Sequence, residues 1–453
     1  MSKLSVAQVK LLSTASISGL GATAVNSLAS DRIAALSSSQ LGAITSLAIA
    51  GLDTAKLTAI STSALAGLTA DQLGAITNGV TNFEESQLKA LKTDIIAGLA
   101  TADVSALATA GKLDALTTAQ IGVLDGGKFA ADATAVLTSA QASKLTATQV
   151  AAFDDAAAAA LTTDQLDFLT TAAIGALEAQ DVAALFNTPA KLGVLDAKQI
   201  AALGANISQL DATGGGALTT DQIAGLTTAQ ISALRSDEMS GWTAAQINAI
   251  GSKQITSLVV SELSPAQMNM LTTAQVSGLT STQIAAVDDT AFGTWTTDKL
   301  AVISSAAIAG LTLAQAATLG SADVNALNLK ALSAMSTANL ASIPDTEFAG
   351  IGTAQIKALS TAQIVALTNA QVTALDATQI GAMTSAQISA LEDGDIALFA
   401  DAEITAIATT AINALSSADF MSLTDAQLDA LSTDQVAALK DNINWVIAAY
   451  AAP

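Results

Sequence analysis

An eight-residue period runs through this chain and constrains its fold more than any other feature. From Leu359 the sequence reads LSTAQIVA, LTNAQVTA, LDATQIGA, MTSAQISA. The apolar residue after Gln recurs at Ile356, Ile364, Val372, Ile380 and Ile388, and onward to Val436, always eight apart. The same phase runs back through Val324, with Ala316 as its weakest member, to Val276 and Met268, and an earlier array joins Val9 to Leu73. A short fixed period in a long chain marks a repeat architecture, in which each unit contacts mainly its neighbours.

One continuous helix cannot use this pattern. Eight residues advance a helix by about 800°, about 80° past two turns, so the apolar row would wind around the axis. A strand fits no better, because Ile and the next Leu are three apart and fall on opposite faces. Short capped helices do fit. In the octad Leu-Thr-x-Ala-Gln-Ile-x-Ala, Thr and Gln stand in the S/T-x-x-Q relation of a capping box. Thr69 with Gln72, Thr117 with Gln120, Ser360 with Gln363 and Thr384 with Gln387 are examples. Asp takes the cap position at Asp196 and Asp376, and Pro265 follows the cap Ser264 at the position where Pro is best tolerated. The Leu before each cap and the Ile after it form a hydrophobic staple, as in Leu359 with Ile364. Each octad leaves room for one short helix, which is unstable alone because nucleation is costly. The expected fold is therefore all-α: a solenoid of very short capped helices, five to seven residues each, with Leu and Ile in a shared core. The sequence does not state how many octads make one superhelical turn.

The phase slips at TNGVTNFEESQ, at LDGGKFAADATAVL, at FNTPAKL, at GANISQLDATGGGAL and at ITSLVVSELSPAQM. These stretches are expected to be bends or loops, which divides the chain into octad blocks 1–80, 81–205, 206–258 and 259–440, followed by a non-repeat aromatic tail 441–453. Gly214 to Gly216 are expected as a flexible bend, since GGGALTT lacks the Lys of a phosphate-binding loop.

Chemistry is sparse. There is no His and no Cys, which removes the usual bases, thiol nucleophiles and zinc ligands, so no enzyme activity is expected. Asp and Glu number 39 against 17 Lys and Arg, a net charge of −22, and no basic cluster exists, so nucleic acid is not an expected partner. The densest acidic stretch, LEDGDIALFADAEI, contains Glu392, Asp393, Asp395, Asp401 and Glu403. Calcium takes six to eight oxygens, so this cluster is the candidate calcium site, while Asp154 with Asp155 and Asp288 with Asp289 are smaller ones. The competing reading assigns all these acids to helix caps and solvated surface. The amino end enters the repeat at Ser5 to Gln8 without a signal-peptide pattern, and no long apolar stretch survives to span a membrane.

Charged residues are only 12% of the chain, where roughly 25% is ordinary. The third and seventh octad positions hold mostly Thr, Ser, Ala, Gly and Asn, a smooth exterior suited to packing solenoids against one another. The tail carries Trp445, Val446, Ile447 and Tyr450, which have no place in the octad core and are the candidate assembly residues.

This acidic, Cys-free, Ala/Thr/Ser/Asp-rich composition with TTAQI-type octads resembles surface-layer and secreted surface proteins of Gram-negative bacteria. The resemblance implies a self-assembling structural subunit (surface layer, sheath or filament) that is extracellular and has no cleaved amino-terminal signal. Its partner would be itself, with a cell-surface glycan or lipopolysaccharide as the further partner. It also implies calcium as the assembly ion and an uncleaved carboxyl-terminal export signal, which would fall in Asn442 to Pro453. The chain departs from that pattern in having no run of GGxGxD repeats. Two other classes fit the residues: an extracellular adhesin or ice-binding solenoid presenting rows of Thr, and a cytoplasmic scaffold.

Overall fold

The computed structural model describes residues 3–77 and 79–439. Among these residues there is no strand, and the chain is an array of short helices, as the octads predict. Most run four to six residues, slightly shorter than expected; the longest are Thr101–Thr109 and Ala179–Phe186. They are short because each ends where the next cap must begin. The Leu367 N–H, for instance, donates to the carbonyl of Ile364 at 3.1 Å, a tight i→i+3 closure, and the chain then turns extended toward the Thr368 cap.

The helix starts are where the capping boxes place them. In the helix Thr361–Val365 the Ser360 hydroxyl accepts from the Gln363 N–H, and the Gln363 side chain accepts from the Ser360 N–H. Asp196 and Asp376 cap in the same way, and Pro265 opens its helix at the first position.

The chain forms two compact units, Met1–Ala233 and Leu234–Pro453. Within each, a helix packs on the third helix along. In the first unit Ser38–Gly42 packs on Thr62–Leu65 and Ser46–Ile49 on Ala70–Ala75. In the second, Thr353–Ala358 packs on Ala377–Ala382, which packs in turn on Asp401–Ala406. The Leu and Ile of the octads form the core of each unit: Ile364, Val372, Leu375, Ile380 and Met383 are all buried. Larger side chains replace them at some positions, with Phe83, Phe129 and Phe186 fully enclosed in the first unit and Phe292 and Phe348 in the second. Even the weak position Ala316 is buried.

The phase slips are mostly absorbed by 3-10 turns, at Gly79–Asn82, Gly126–Lys128, Gly204–Gln209, Ile255–Ser257 and Val260–Glu262. Gly79 and Gly204 start theirs with positive φ, +50° and +55°, a conformation that favours glycine. Gly214 to Gly216 correct one expectation. They are not a bend but lie inside the helix Ala212–Ala217. A Cβ on Gly214 would stand 2.7 Å from the Asn187 side chain and 2.8 Å from the Phe186 carbonyl. The missing side chain there permits close approach rather than flexibility.

The inward face yields a test. Ile380 is fully buried, so Ile380→Asp places an unpaired charge in the core and should open the adjacent octads to protease and hydrogen exchange. Thr384→Ala removes one cap and should cost only about 1 kcal/mol. Equal, small effects in local hydrogen exchange would contradict the assigned core face.

Candidate functional site

Where an octad carries glutamine, that residue usually does more than close a capping box. With few exceptions among the described residues its carboxamide is buried, and its second end reaches the turn below. Nε2 of Gln363 donates to the carbonyls of Leu332 at 2.8 Å and Met335 at 2.9 Å, which lie 31 and 28 residues earlier. Its Oε1 accepts from the Ser360 N–H at 2.8 Å and the Ser360 hydroxyl at 3.1 Å. Both amide hydrogens and the oxygen are therefore used, which is what allows a polar side chain only 1% exposed to be stable there. The bond recurs as a rung between turns. Gln72 reaches Leu41 and Ile44, Gln371 reaches Leu340 and Ile343, and Gln387 reaches Ile356 and Leu359, each 31 and 28 residues back. Gln141 and Gln283 reach 28 and 25 residues back. One turn therefore takes between three and four octads.

Other donors occupy the rung position where Gln is absent. Nζ of Lys112 donates to Thr81 and Phe83 carbonyls at 2.9 and 2.8 Å, Lys191 to Ala159 at 2.8 Å, and Lys299 to Asn269 at 2.7 Å. Asn339 reaches the Leu311 carbonyl at 2.7 Å. Burial pushes the ammonium groups of Lys191 and Lys299 down from the usual lysine range. Several of the scarce basic residues thus hold turns together instead of forming a charged surface. The signal for this role was in the sequence. Glu serves a capping box as well as Gln does, so a persistent choice of Gln points to a need for a donor.

Acids also occur at this position, and they keep only the first half of the job. Asp395 accepts from the Glu392 N–H at 3.0 Å, Asp181 from the Glu178 N–H at 3.0 Å, and Glu403 from the Ala400 N–H at 2.9 Å. A carboxylate cannot donate to the turn below. Desolvation raises the carboxyl of Asp181 above its ordinary range, with the charges of Asp155 and Glu178 adding to the rise. Desolvation likewise raises Asp395, helped by the charge of Glu392.

These placements locate the described acids of the cluster. Glu392 and Asp395 belong to one helix start and Asp401 and Glu403 to the next, and Asp395 and Glu403 are engaged by backbone N–H groups. Among the described residues no group of three or more acidic side chains is placed to hold a metal ion. Asp154 and Asp288 are caps, accepting from Ala157 and Ala291 at 2.7 and 3.0 Å. Trp445, Val446, Ile447 and Tyr450 lie outside the described residues, as does the side chain of Asp393. No described helix is long and apolar enough to cross a membrane. A hollow of about 370 Å³ opens beside the first phase slip, lined by Leu73, Ile76, Gly79, Leu99 and Asp103, and Asp103 is its one charged group.

A family profile described as the ALTTAQ repeat matches residues 346–377 and 361–393, the stretch where the rungs are most regular. That stretch is similar to a repeat family. No curated protein matches the chain.

Two predictions follow from the rung chemistry. Gln363→Glu keeps the cap acceptor but turns a carboxylate oxygen toward the Leu332 and Met335 carbonyls. It should cost about 2–4 kcal/mol near neutral pH, read as lost local hydrogen-exchange protection. The loss should shrink in acid, where the protonated side chain donates again. Asp181 and Asp395 act in the same direction in the natural chain. Their folded pKa values lie above the unfolded ones, so their favourable contribution is full in acid and is lost as pH rises through the folded value. Asp181→Asn with Asp395→Asn should therefore raise the melting temperature near neutral pH. It should also flatten the gain expected on moving from about pH 7 to about pH 4. An unchanged slope would show that these two acids do not contribute to it.

Proposed function

We propose that this protein is a self-assembling structural subunit of a bacterial cell surface, in a surface layer, sheath or filament. The observation that carries this reading is the exterior of the regular array. Between Lys357 and Glu392, Asp376 is the only charged side chain. The exposed positions there are filled by Thr361, Asn369, Thr373, Ser385 and Ser389, and by Val365, an apolar side chain 46% exposed. A surface that faces only water normally mixes many charges of both signs. A face of small, uncharged side chains on a repeating scaffold suits contact with an identical face, because small residues allow close approach and cost little side-chain entropy. The absence of His and Cys from the sequence supports a structural role over a catalytic one.

Electron microscopy and sedimentation of the purified chain, with calcium and with a chelator, test this directly. Ordered sheets or filaments are expected as concentration rises, and protease treatment of intact cells should release fragments of the protein. A chain that stays monomeric at high concentration in both conditions would end the structural-subunit reading.

A further inference from the structure

Successive turns are joined by rungs, and two turns expose the surfaces that rungs join. In the turn built from residues 3–30 the rung positions are Gln8, Ser16 and Ala24. Gln8 is exposed, whereas its counterparts higher in the array are nearly all buried. Its Oε1 accepts from the Ser5 N–H at 2.8 Å, but among the described residues its Nε2 meets no acceptor. Leu4, Leu12 and Leu20 are only half-buried there, while Leu28 and Leu36 in the same octad position are 2% and 3% exposed.

The turn built from residues 412–439 shows the complementary surface. Among the described residues the last rung donor is Gln435, which reaches back to Ile404 and Ile407. No described rung donor reaches the carbonyls of Leu423, Leu428 and Leu431. Val436, in an octad core position, is 43% exposed, and Leu428 and Leu431 are half-buried.

Charge distinguishes the two turns further. Residues 3–30 contain Lys3 and Lys10 and no acid, in a chain whose net charge is −22. Residues 412–439 contain no base, and Asp425 and Asp434 are exposed acids on them. One surface therefore offers a donor, half-covered leucines and positive charge. Among the described residues the other offers the carbonyls of Leu423, Leu428 and Leu431, half-covered apolar side chains and negative charge.

We propose that the turn of residues 3–30 in one copy docks head to tail on the turn of residues 412–439 in a second copy, repeating the contact that joins turns inside each unit. This rests on the self-assembly reading and names its partner and polarity. The junction is weaker than an internal one, because Ser16 and Ala24 supply no rung and Gln8 alone donates. Attraction between the opposite charges supplies part of the remainder, which makes the contact sensitive to salt.

Sedimentation velocity of the full chain across a salt series tests the proposal. Side-by-side association of a chain this acidic should strengthen with salt, which screens mutual repulsion. Head-to-tail docking should weaken by about tenfold or more between about 20 mM and about 500 mM salt. Lys3→Glu with Lys10→Glu should abolish association at low salt, and Asp425→Lys with Asp434→Lys should do the same. All four positions are exposed, so circular dichroism should show both variants folded. An equimolar mixture of the two should associate again, because each then offers the charge the other lacks. Association that strengthens with salt, or that ignores both charge reversals, overturns the head-to-tail contact and leaves self-assembly standing. Association that appears only after truncation at Leu439 assigns the last turn to the chain's own tail and overturns the contact. A monomer under every condition, truncated or not, overturns the contact and the self-assembly reading together.

Discussion

The structure depends on one bidentate interaction, the glutamine carboxamide shared between two turns. A helix of five residues has almost no stability of its own, since the cost of nucleation is spread over too few bonds. In the octads that carry Gln, the group that helps start the helix is also the group that ties it to the turn below. Oε1 of Gln379 accepts from the Asp376 N–H, and Nε2 donates to Phe348 and Ile351. Helix initiation and tertiary contact are therefore one event. The amide can be buried only when both ends are satisfied, so an octad that caps its helix without docking leaves donors unpaired. That couples secondary structure to stacking more tightly than apolar packing alone would.

Variation at the rung position then grades the seam between turns. Gln, Asn, Lys and Arg all donate, and Arg32 does so to the Leu4 carbonyl. Asp and Glu keep the cap but withdraw the donor, as at Asp323, whose carboxylate accepts from the Gly320 N–H at 3.0 Å. Ala supplies neither, as at Ala331, where Asn328 caps the helix instead. The core Leu and Ile are nearly constant by comparison. Local stability within each unit should therefore follow the rung residue more closely than the core residue, with weaker seams at Asp181 and Asp395 than at Gln363.

Much of this was legible in the sequence because its causes are local. Thr-x-x-Gln states where a helix starts, and the Leu and Ile spacing states which face turns inward. Both are settled within one octad. The number of octads per turn was not legible, because it is set by a bond between residues 28 and 31 apart that leaves no mark inside an octad. The role of Gly214 was hidden for a related reason. Only the position of Asn187 and Phe186, brought against it by the fold, distinguishes a tight contact from a bend. The placement of the acidic residues was legible only in part. Five acids close in sequence look like one site, but the octad period assigns two of the described ones to separate helix starts, each held by its own backbone N–H.

The rung also bears on how such a chain can change length. Octads share the same carbonyl positions and most supply a donor at the same place, so inserting or removing a whole octad moves each later rung onto an equivalent acceptor pair. No contact has to be reinvented. A change of three residues instead shifts Leu, Thr and Gln out of step and needs a device such as the 3-10 turns Ile255–Ser257 and Val260–Glu262 to restore the phase. Gene-level duplication or loss in steps of eight codons thus passes almost unnoticed by the fold, leaving the span of the array free to be set by whatever it has to reach.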